Sequence, residues 1–239
     1  MKKFIAPILS VRNETHDVKT FRVANVSSIS FIPGQYCIVS LPDNPQFSKT
    51  TKPFTFSHSP TQKEYLELTI KKMGYFTSAM FELKEGDRLE IKGPVGEDLT
   101  FEESIQEDIV FLSGGSGITP FMSMIRYWAA KGLSNNLTLL YGNRTEKDII
   151  YEKELDTIRE RHPKLKIVHI LDTPSSSWQG EKGRLSKEII LKYTSEPTKK
   201  LWYLCGPPPM VAAAKKILSE LAVSEENWKV EPWEIPGKS

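Results

Sequence analysis

Apolar and polar residues alternate along Leu66-Glu67-Leu68-Thr69-Ile70. That period of two predicts a strand with the leucines and the isoleucine buried and Glu67 and Thr69 facing water. Val18–Ala24, Gln35–Leu41, Tyr65–Lys71 and Asp87–Ile91 share its character, short and rich in β-branched and aromatic residues. Turns are predicted between them at Pro33-Gly34, Pro42-Asp43-Asn44-Pro45, Met73-Gly74 and Gly93-Pro94. The opening run Phe4–Leu9 reads as another strand, and Phe76–Leu83 as a short amphipathic helix. Several short antiparallel strands without long helices predict a small closed Greek-key β-barrel, which leaves no exposed sheet edge.

Near residue 101 the pattern changes. Asp108–Ser113, Leu137–Tyr141, Lys166–Leu171 and Leu201–Cys205 read as strands. Pro120–Lys131, Tyr151–Arg161, Ser186–Tyr193 and Pro208–Leu221 read as the helices that alternate with them. Such alternation predicts an α/β doubly wound parallel sheet. The expected division is therefore a barrel domain over 1–100 and an α/β domain over 101–239, with the acidic stretch Thr100–Glu107 at the boundary.

A doubly wound sheet takes its ligand at the carboxyl ends of its strands. Three of those ends carry glycine: Ser113-Gly114-Gly115-Ser116-Gly117, Tyr141-Gly142-Asn143-Arg144 and Cys205-Gly206-Pro207-Pro208-Pro209. Together they predict a nucleotide crevice. The first is not a Walker loop, since no G-K-[ST] follows, nor a G-x-G-x-x-G fingerprint, since Pro120 stands where the third glycine would be. A proline early in the helix removes an amide that has no intrahelical partner.

The composition narrows the chemistry. Hydrophobic residues make up 39% of the 239 and charged residues 26%, with a net charge of +2, which argues for no nucleic-acid partner. The apolar run near the N-terminus is too short for a signal or a membrane span, so the expected location is cytoplasmic. Cys37 and Cys205 are too few for an iron–sulfur cluster, and the four histidines show no ligand spacing, so no metal site is expected.

An ordered series of motifs over nearly the whole chain resembles the ferredoxin–NADP⁺ reductase superfamily. Pro33-Gly34-Gln35-Tyr36 is similar to its P-G-Q-[YF] turn, and Lys52-Pro53-Phe54-Thr55 to its R-x-[YF]-[ST] flavin motif. Gly74-Tyr75-Phe76-Thr77 resembles G-x-x-[ST], and Gly93-Pro94-Val95-Gly96 resembles G-P-x-G. Gly114–Pro120 matches G-G-x-G-[IL]-[TA]-P, and Cys205-Gly206-Pro207-Pro208-Pro209-Met210 matches C-G-P-x-x-M.

The resemblance implies an NAD(P)H-dependent flavoprotein reductase with FAD, or FMN as the alternative. It implies that Phe54 stacks on the flavin, that the Thr55 hydroxyl lies near the hydride-accepting atom, and that Lys52, Gly74, Phe76 and Thr77 meet the flavin phosphates. Pro53 belongs to the same motif. Lys52 stands where the family has arginine, and it keeps the charge but loses the planar fork. For the pyridine nucleotide, the resemblance implies Gly115, Gly117, Thr119, Pro120, Asn143, Arg144, Gly206, Pro207 and Met210, with Cys205 beside the nicotinamide. Cys205 reads equally as a small buried apolar residue.

Trp228-Lys229-Val230-Glu231-Pro232-Trp233 resembles the family's final strand, which implies that Glu231 and Trp233 approach the flavin. With Thr55 and Cys205, Glu231 completes the candidate catalytic set. The resemblance also favours NADH over NADPH, because the stretch Leu171-Asp172-Thr173-Pro174-Ser175 lacks the Ser-Arg pair that NADPH-specific members carry there, although Arg144 and Lys147 can offer charge to a phosphate. The expected acceptor is a separate ferredoxin-like or haem protein, and the expected state is a monomer. Use of free flavin as a substrate, or service as an electron-transfer subunit of a larger complex, are the alternatives.

Overall fold

The structure is a computed structural model and describes residues 1–230. Glu231 and Trp233 lie outside the described residues. The first half contains β1 (Lys2–Asn13), β2 (Val18–Ala24), β3 (Tyr36–Ser40), β4 (Lys52–Thr55), β5 (Tyr65–Lys71), the helix α1 (Tyr75–Phe81) and β6 (Arg88–Val95). Its strands pair antiparallel in the order β4-β3-β6-β1-β2-β5. A bridge between Phe56 and Leu68, with the Ser57 amide donating to the Glu67 carbonyl at 2.9 Å, brings the two edges together. Phe21, Val23, Val39, Phe56, Leu66, Leu68 and Ile91 fill the barrel and are all fully buried. Each such side chain contributes about 1.5–3 kcal/mol relative to exposure.

The second half contains β7 (Ile109–Gly114), α2 (Ile118–Lys131), β8 (Leu137–Asn143), α3 (Glu152–Arg161), β9 (Leu165–Leu171) and β10 (Glu181–Lys182). It continues through α4 (Lys187–Tyr193), β11 (Leu201–Cys205), α5 (Pro208–Glu220) and β12 (Trp228–Val230). Its strands are all parallel, in the order β10-β9-β8-β7-β11-β12. Alternate residues of β7 serve two cores. Ile109 and Phe111 pack with α2 and α3, whereas Val110 and Leu112 pack with α4 and α5. The order of the strands reverses between β7 and β11, and a sheet of this kind opens its ligand crevice there.

Three local expectations need correction. Gly93-Pro94 is not a turn: it lies within β6, joined by a cis peptide bond, because Tyr36 of β3 pairs with Val95 beyond it. The helix after the glycine loop does not start at Pro120; a 3₁₀ turn covers Gly115–Gly117 and α2 runs on from Ile118. The polar face of β5 is not wet. Glu67 is 1% exposed and Thr69 5%, because α2 and Tyr151 of the second half cover that face.

Candidate functional site

The loops after β7 and β11 close on one another. Ser113 and Cys205 are in register at the two strand ends, and both are buried. A Cβ on Gly117 would lie 2.2 Å from the Cys205 carbonyl oxygen, so only glycine permits this approach. On Gly114 it would strike the Met210 sulfur at 2.6 Å and Pro207 at 2.9 Å, and on Gly206 the Met210 methyl at 2.6 Å. Met210 and Pro207 therefore clamp the two loops together at the start of α5. Gly115 differs: its φ is +52°, and a Cβ there would meet nothing within 4 Å. It is the glycine of this loop whose backbone faces open space.

Polar groups at this edge are left over. The Ser113 hydroxyl is buried and makes no hydrogen bond among the described residues, and the buried amide of Asn143, at the end of β8, has no well-formed one, only the approach of the Tyr141 hydroxyl. A buried amide without partners costs about 1–3 kcal/mol, so such groups mark a place built for a ligand. Tyr141 donates from its hydroxyl to the Gly115 carbonyl at 3.0 Å and holds the loop's shape. Thr119 is spent on the same task, donating to the Ser116 carbonyl at 3.0 Å. Pro120 is buried in the first turn of α2, and Arg144 is exposed at the rim. An open glycine, unpaired donors and acceptors, and the helix α2 behind them fit a pyridine nucleotide.

The barrel edge is made from side chains. Lys52, Pro53 and Phe54 of β4 are half-buried and Thr55 is buried. The Phe54 ring stacks at 6.3 Å from that of Phe76, which α1 carries, so the motif and the helix meet. Thr77 accepts from the Met73 amide at 2.6 Å and donates to the Gly74 carbonyl at 3.2 Å. Its hydroxyl thus shapes the turn at Gly74, while the first amides of α1 have no acceptor within the helix. Gln35 joins two of the sequence motifs: its side chain accepts from the Ile32 amide at 2.9 Å and donates to the Gly96 carbonyl at 2.9 Å. Half-buried cation, aromatic face and helix start fit a flavin with its phosphates. Cys37 sits inside the barrel, where burial pushes its thiol far up, and is an apolar filler.

Between the two edges runs a polar seam that the sequence reading missed. Arg126 of α2 is 14% exposed. It donates from Nε and Nη2 to the two carboxylate oxygens of Glu154, both at 2.7 Å. From Nη1 it donates to the Ser57 carbonyl at 2.7 Å and to Glu67 Oε1 at 2.6 Å. Arg22 reaches the other oxygen of Glu67 at 3.1 Å, and Tyr151 donates to Thr69.

Burial acts to raise the Glu67 pKa, but the Arg126 charge and the hydrogen bonds from Arg126 and Arg22 outweigh it and leave it lowered. Burial likewise opposes the charge on Arg126, and the bond to Glu154 and the charge of Glu67 outweigh it, raising the pKa. Ser123, one turn before Arg126, donates to the His58 carbonyl at 2.7 Å. His58 accepts the Glu67 amide at Nδ1, and burial among Phe31, Phe56 and Tyr65 pushes it down to about 3. The one available signal was a polar pair three apart on a helix rich in apolar residues, and a strand's polar face looks the same whether wet or covered.

Residues 6–99 match the family model of the oxidoreductase FAD-binding domain, and residues 111–216 that of the oxidoreductase NAD-binding domain. The chain is 30% identical over 241 residues to NADH-cytochrome b5 reductase 2 of Kluyveromyces lactis, covering 92% of this chain and 81% of that one. It is 31% identical over 225 residues to NADH-cytochrome b5 reductase 1 of Dictyostelium discoideum, covering 89% and 76%. It shares its fold with the cytochrome b5 reductase domain of Ulva prolifera nitrate reductase, with a TM-score of 0.85 over 96% of this chain and 97% of that one at 23% identity. Two matched domains in this order, over loops shaped for a flavin and a pyridine nucleotide, make the chain a member of the ferredoxin–NADP⁺ reductase superfamily and an NAD(P)H-dependent flavoprotein reductase.

Proposed function

We propose that the protein oxidises NADH at the crevice between its halves and passes the electrons, through bound FAD, to a separate haem protein. The observation that carries this reading is the closure of the Gly114–Gly117 and Cys205–Gly206 loops on each other at the reversal of the parallel sheet, against β5 of the barrel. When bound, FAD supplies a two-electron acceptor for hydride and a one-electron donor for the partner. Hydride transfer asks for alignment in a dry site and not for a general base.

Phe54 supplies an apolar face for the flavin ring, Thr55 a neutral hydroxyl near its reacting edge, and Lys52 with the first amides of α1 the positive end for its phosphates. Gly115, Ser113 and Asn143 offer backbone space and unpaired polar groups to the nucleotide, and Cys205 closes the floor beside them. Glu231 and Trp233 are proposed to cover the flavin from the C-terminal side. The domains are proposed to divide at 1–100 and 101–239.

The preference for NADH rests on Asp172, just past the end of β9. Its carboxylate is met only loosely by exposed Arg184, at 3.4 Å. A carboxylate at this edge accepts from a ribose 2′-hydroxyl and repels a 2′-phosphate. For the acceptor, exposed Met73 and Tyr75 flank Gly74 at the barrel edge, next to exposed Lys72. An apolar spot beside a cation suits an acidic redox protein, and the Kluyveromyces and Dictyostelium relatives are named for a cytochrome acceptor.

Anaerobic titration of the purified yellow protein tests the reading. NADH is expected to bleach the flavin at one equivalent, with NADPH far less effective, and Asp172→Ser is expected to narrow that difference. No bleaching with either nucleotide defeats the reductase reading. Colour lost on desalting shows that flavin is a diffusing substrate, an outcome that the single ammonium of Lys52 in place of a guanidinium would explain.

A further inference from the structure

The nucleotide loop and the flavin motif are on different halves of the chain, yet one helix ties them together. α2 begins at Ile118, directly after the open glycine loop. At about 1.5 Å per residue, Ser123 lies about 6 Å along the axis from Thr119, and Arg126 about 10 Å. Ser123 is fully buried and donates to the His58 carbonyl at 2.7 Å, and Arg126 donates to the Ser57 carbonyl at 2.7 Å. Ser57 and His58 are the second and third residues after Thr55, where the chain leaves β4 and bends at His58. Phe56 between them is pinned to Leu68 across the barrel. Main-chain carbonyls just past the flavin strand are thus held by side chains of the nucleotide helix, three residues apart and on one helix face.

The guanidinium is aimed by its own surroundings. Both carboxylate oxygens of Glu154 take Nε and Nη2, which leaves Nη1 directed at Ser57 and Glu67. The Tyr151 ring lies 5.1 Å from the guanidinium carbon, and Tyr151 itself bonds to Thr69 of β5. A planar fork held at three edges cannot swing, and an ammonium cannot copy it. Stability alone does not require this arrangement, because an apolar seam of equal volume holds two halves together at least as well. What the polar seam adds is direction: each bond has one length and one angle.

We infer that Ser123 and Arg126 are positioning residues, which set the distance and angle between the nucleotide loop Gly114–Thr119 and the flavin motif Lys52–Thr55. They touch neither cofactor. They act through the Ser57 and His58 carbonyls, and a displacement of the order of 1 Å at the reacting atoms costs about a hundredfold in rate. The inference rests on the reading of the protein as a hydride-transferring reductase, and it names the device by which the two halves of that site are kept in register.

The test uses the holoprotein with Ser123→Ala, which removes one hydroxyl from a buried helix position, and Arg126→Lys, which keeps the charge and loses the fork. Three quantities are measured: the rate of flavin bleaching at saturating NADH with its deuterium isotope effect, the dissociation constants for FAD and NAD⁺, and amide hydrogen exchange over 56–59 without nucleotide. The expected result is bleaching slowed about tenfold or more. The isotope effect is expected to change, both dissociation constants to stay within about twofold, and exchange over 56–59 to rise about tenfold. Bleaching and exchange within twofold of the parent protein overturn the inference. So does a loss of FAD affinity in proportion to the loss of rate, which shows a merely structural role. If the parent protein is not bleached by NADH, the reductase reading fails, and the exchange measurement still decides whether these two residues hold the strand.

Discussion

The crevice edge and the seam beneath it bring the same two halves of the chain to one place by opposite means. At the edge, the loops of Gly114–Gly117 and Cys205–Met210 meet through the absence of side chains, with backbone packed on backbone and on Met210. In the seam, Arg126, Glu67, Glu154 and Tyr151 meet through long polar side chains whose bonds are directional. Unpaired polar groups such as the Ser113 hydroxyl remain at the edge, where the proposed nucleotide would meet them. In the seam the charges are matched from within the protein, the carboxylate of Glu67 by Arg126 and Arg22, and among the described residues only His58 Nε2 is left there without a partner.

Removing the guanidinium is expected to show the largest difference between the two regions. Arg126→Ala leaves buried Glu67 with Arg22 as its one bonded cation among the described residues and the Ser57 hydroxyl beside it, and should destabilise the protein by about 3–5 kcal/mol in urea unfolding. An unchanged midpoint would mean that water enters the seam and that it is no frame at all. Next in size is Gly117→Ala at the edge, where a methyl group meets a carbonyl oxygen at 2.2 Å. The loops must part, at a cost of about 1–3 kcal/mol, and the dissociation constant for NAD⁺ should rise more steeply than stability falls.

Acid separates the regions again. His58 is neutral in the fold, with a pKa near 3, but takes a proton at about 6.5 when unfolded. Its contribution is complete above about 6.5 and is lost as pH falls toward 3, by up to about 1.4 kcal/mol per pH unit. Glu67, lowered in the fold, extends the loss below the ordinary carboxylate range. The urea midpoint is therefore expected to fall steadily from pH 7 to pH 4, and His58→Gln should flatten that slope. An equal slope in the variant would remove His58 from the explanation. The smallest effect is expected for Gly115→Ala. Its left-handed backbone costs about 1–2 kcal/mol with a Cβ, but no atom stands in the way, so stability should fall by no more than that while the affinity for NADH drops. A loss equal to that of Gly117→Ala would show that the glycines are not divided between packing and ligand.

Much of this was legible in the chain. Val18–Ala24, Tyr65–Lys71 and Leu201–Cys205 occur as strands with the bounds their patterns predict, because alternation and β-branched runs are local properties. The three glycine-marked strand ends lie at one sheet edge, as winding of the parallel sheet requires. Gly93-Pro94 misled because a turn dipeptide is also a local property, and pairing of Tyr36 with Val95 overrode it. Glu67 and Thr69 misled for a deeper reason. Hydrophobic periodicity reports which face of a strand is apolar, and it is silent on whether a second layer covers the polar one.

By itself the sequence determined the two architectures, their order, and the glycine-marked loops proposed to meet the nucleotide, since each follows from spacing within a few residues. Tertiary structure alone decided that Gly117 makes room for Cys205 and Gly115 does not, that Gln35 reaches Gly96, and that Arg126 joins Ser57 and Glu67 across the two halves. Those contacts span from 59 to 88 residues of chain, with Gln35 and Gly96 61 apart. Only the packing of α2 against β5 brings the charged partners within reach, and at that distance burial turns an ordinary surface glutamate into half of a buried ion pair.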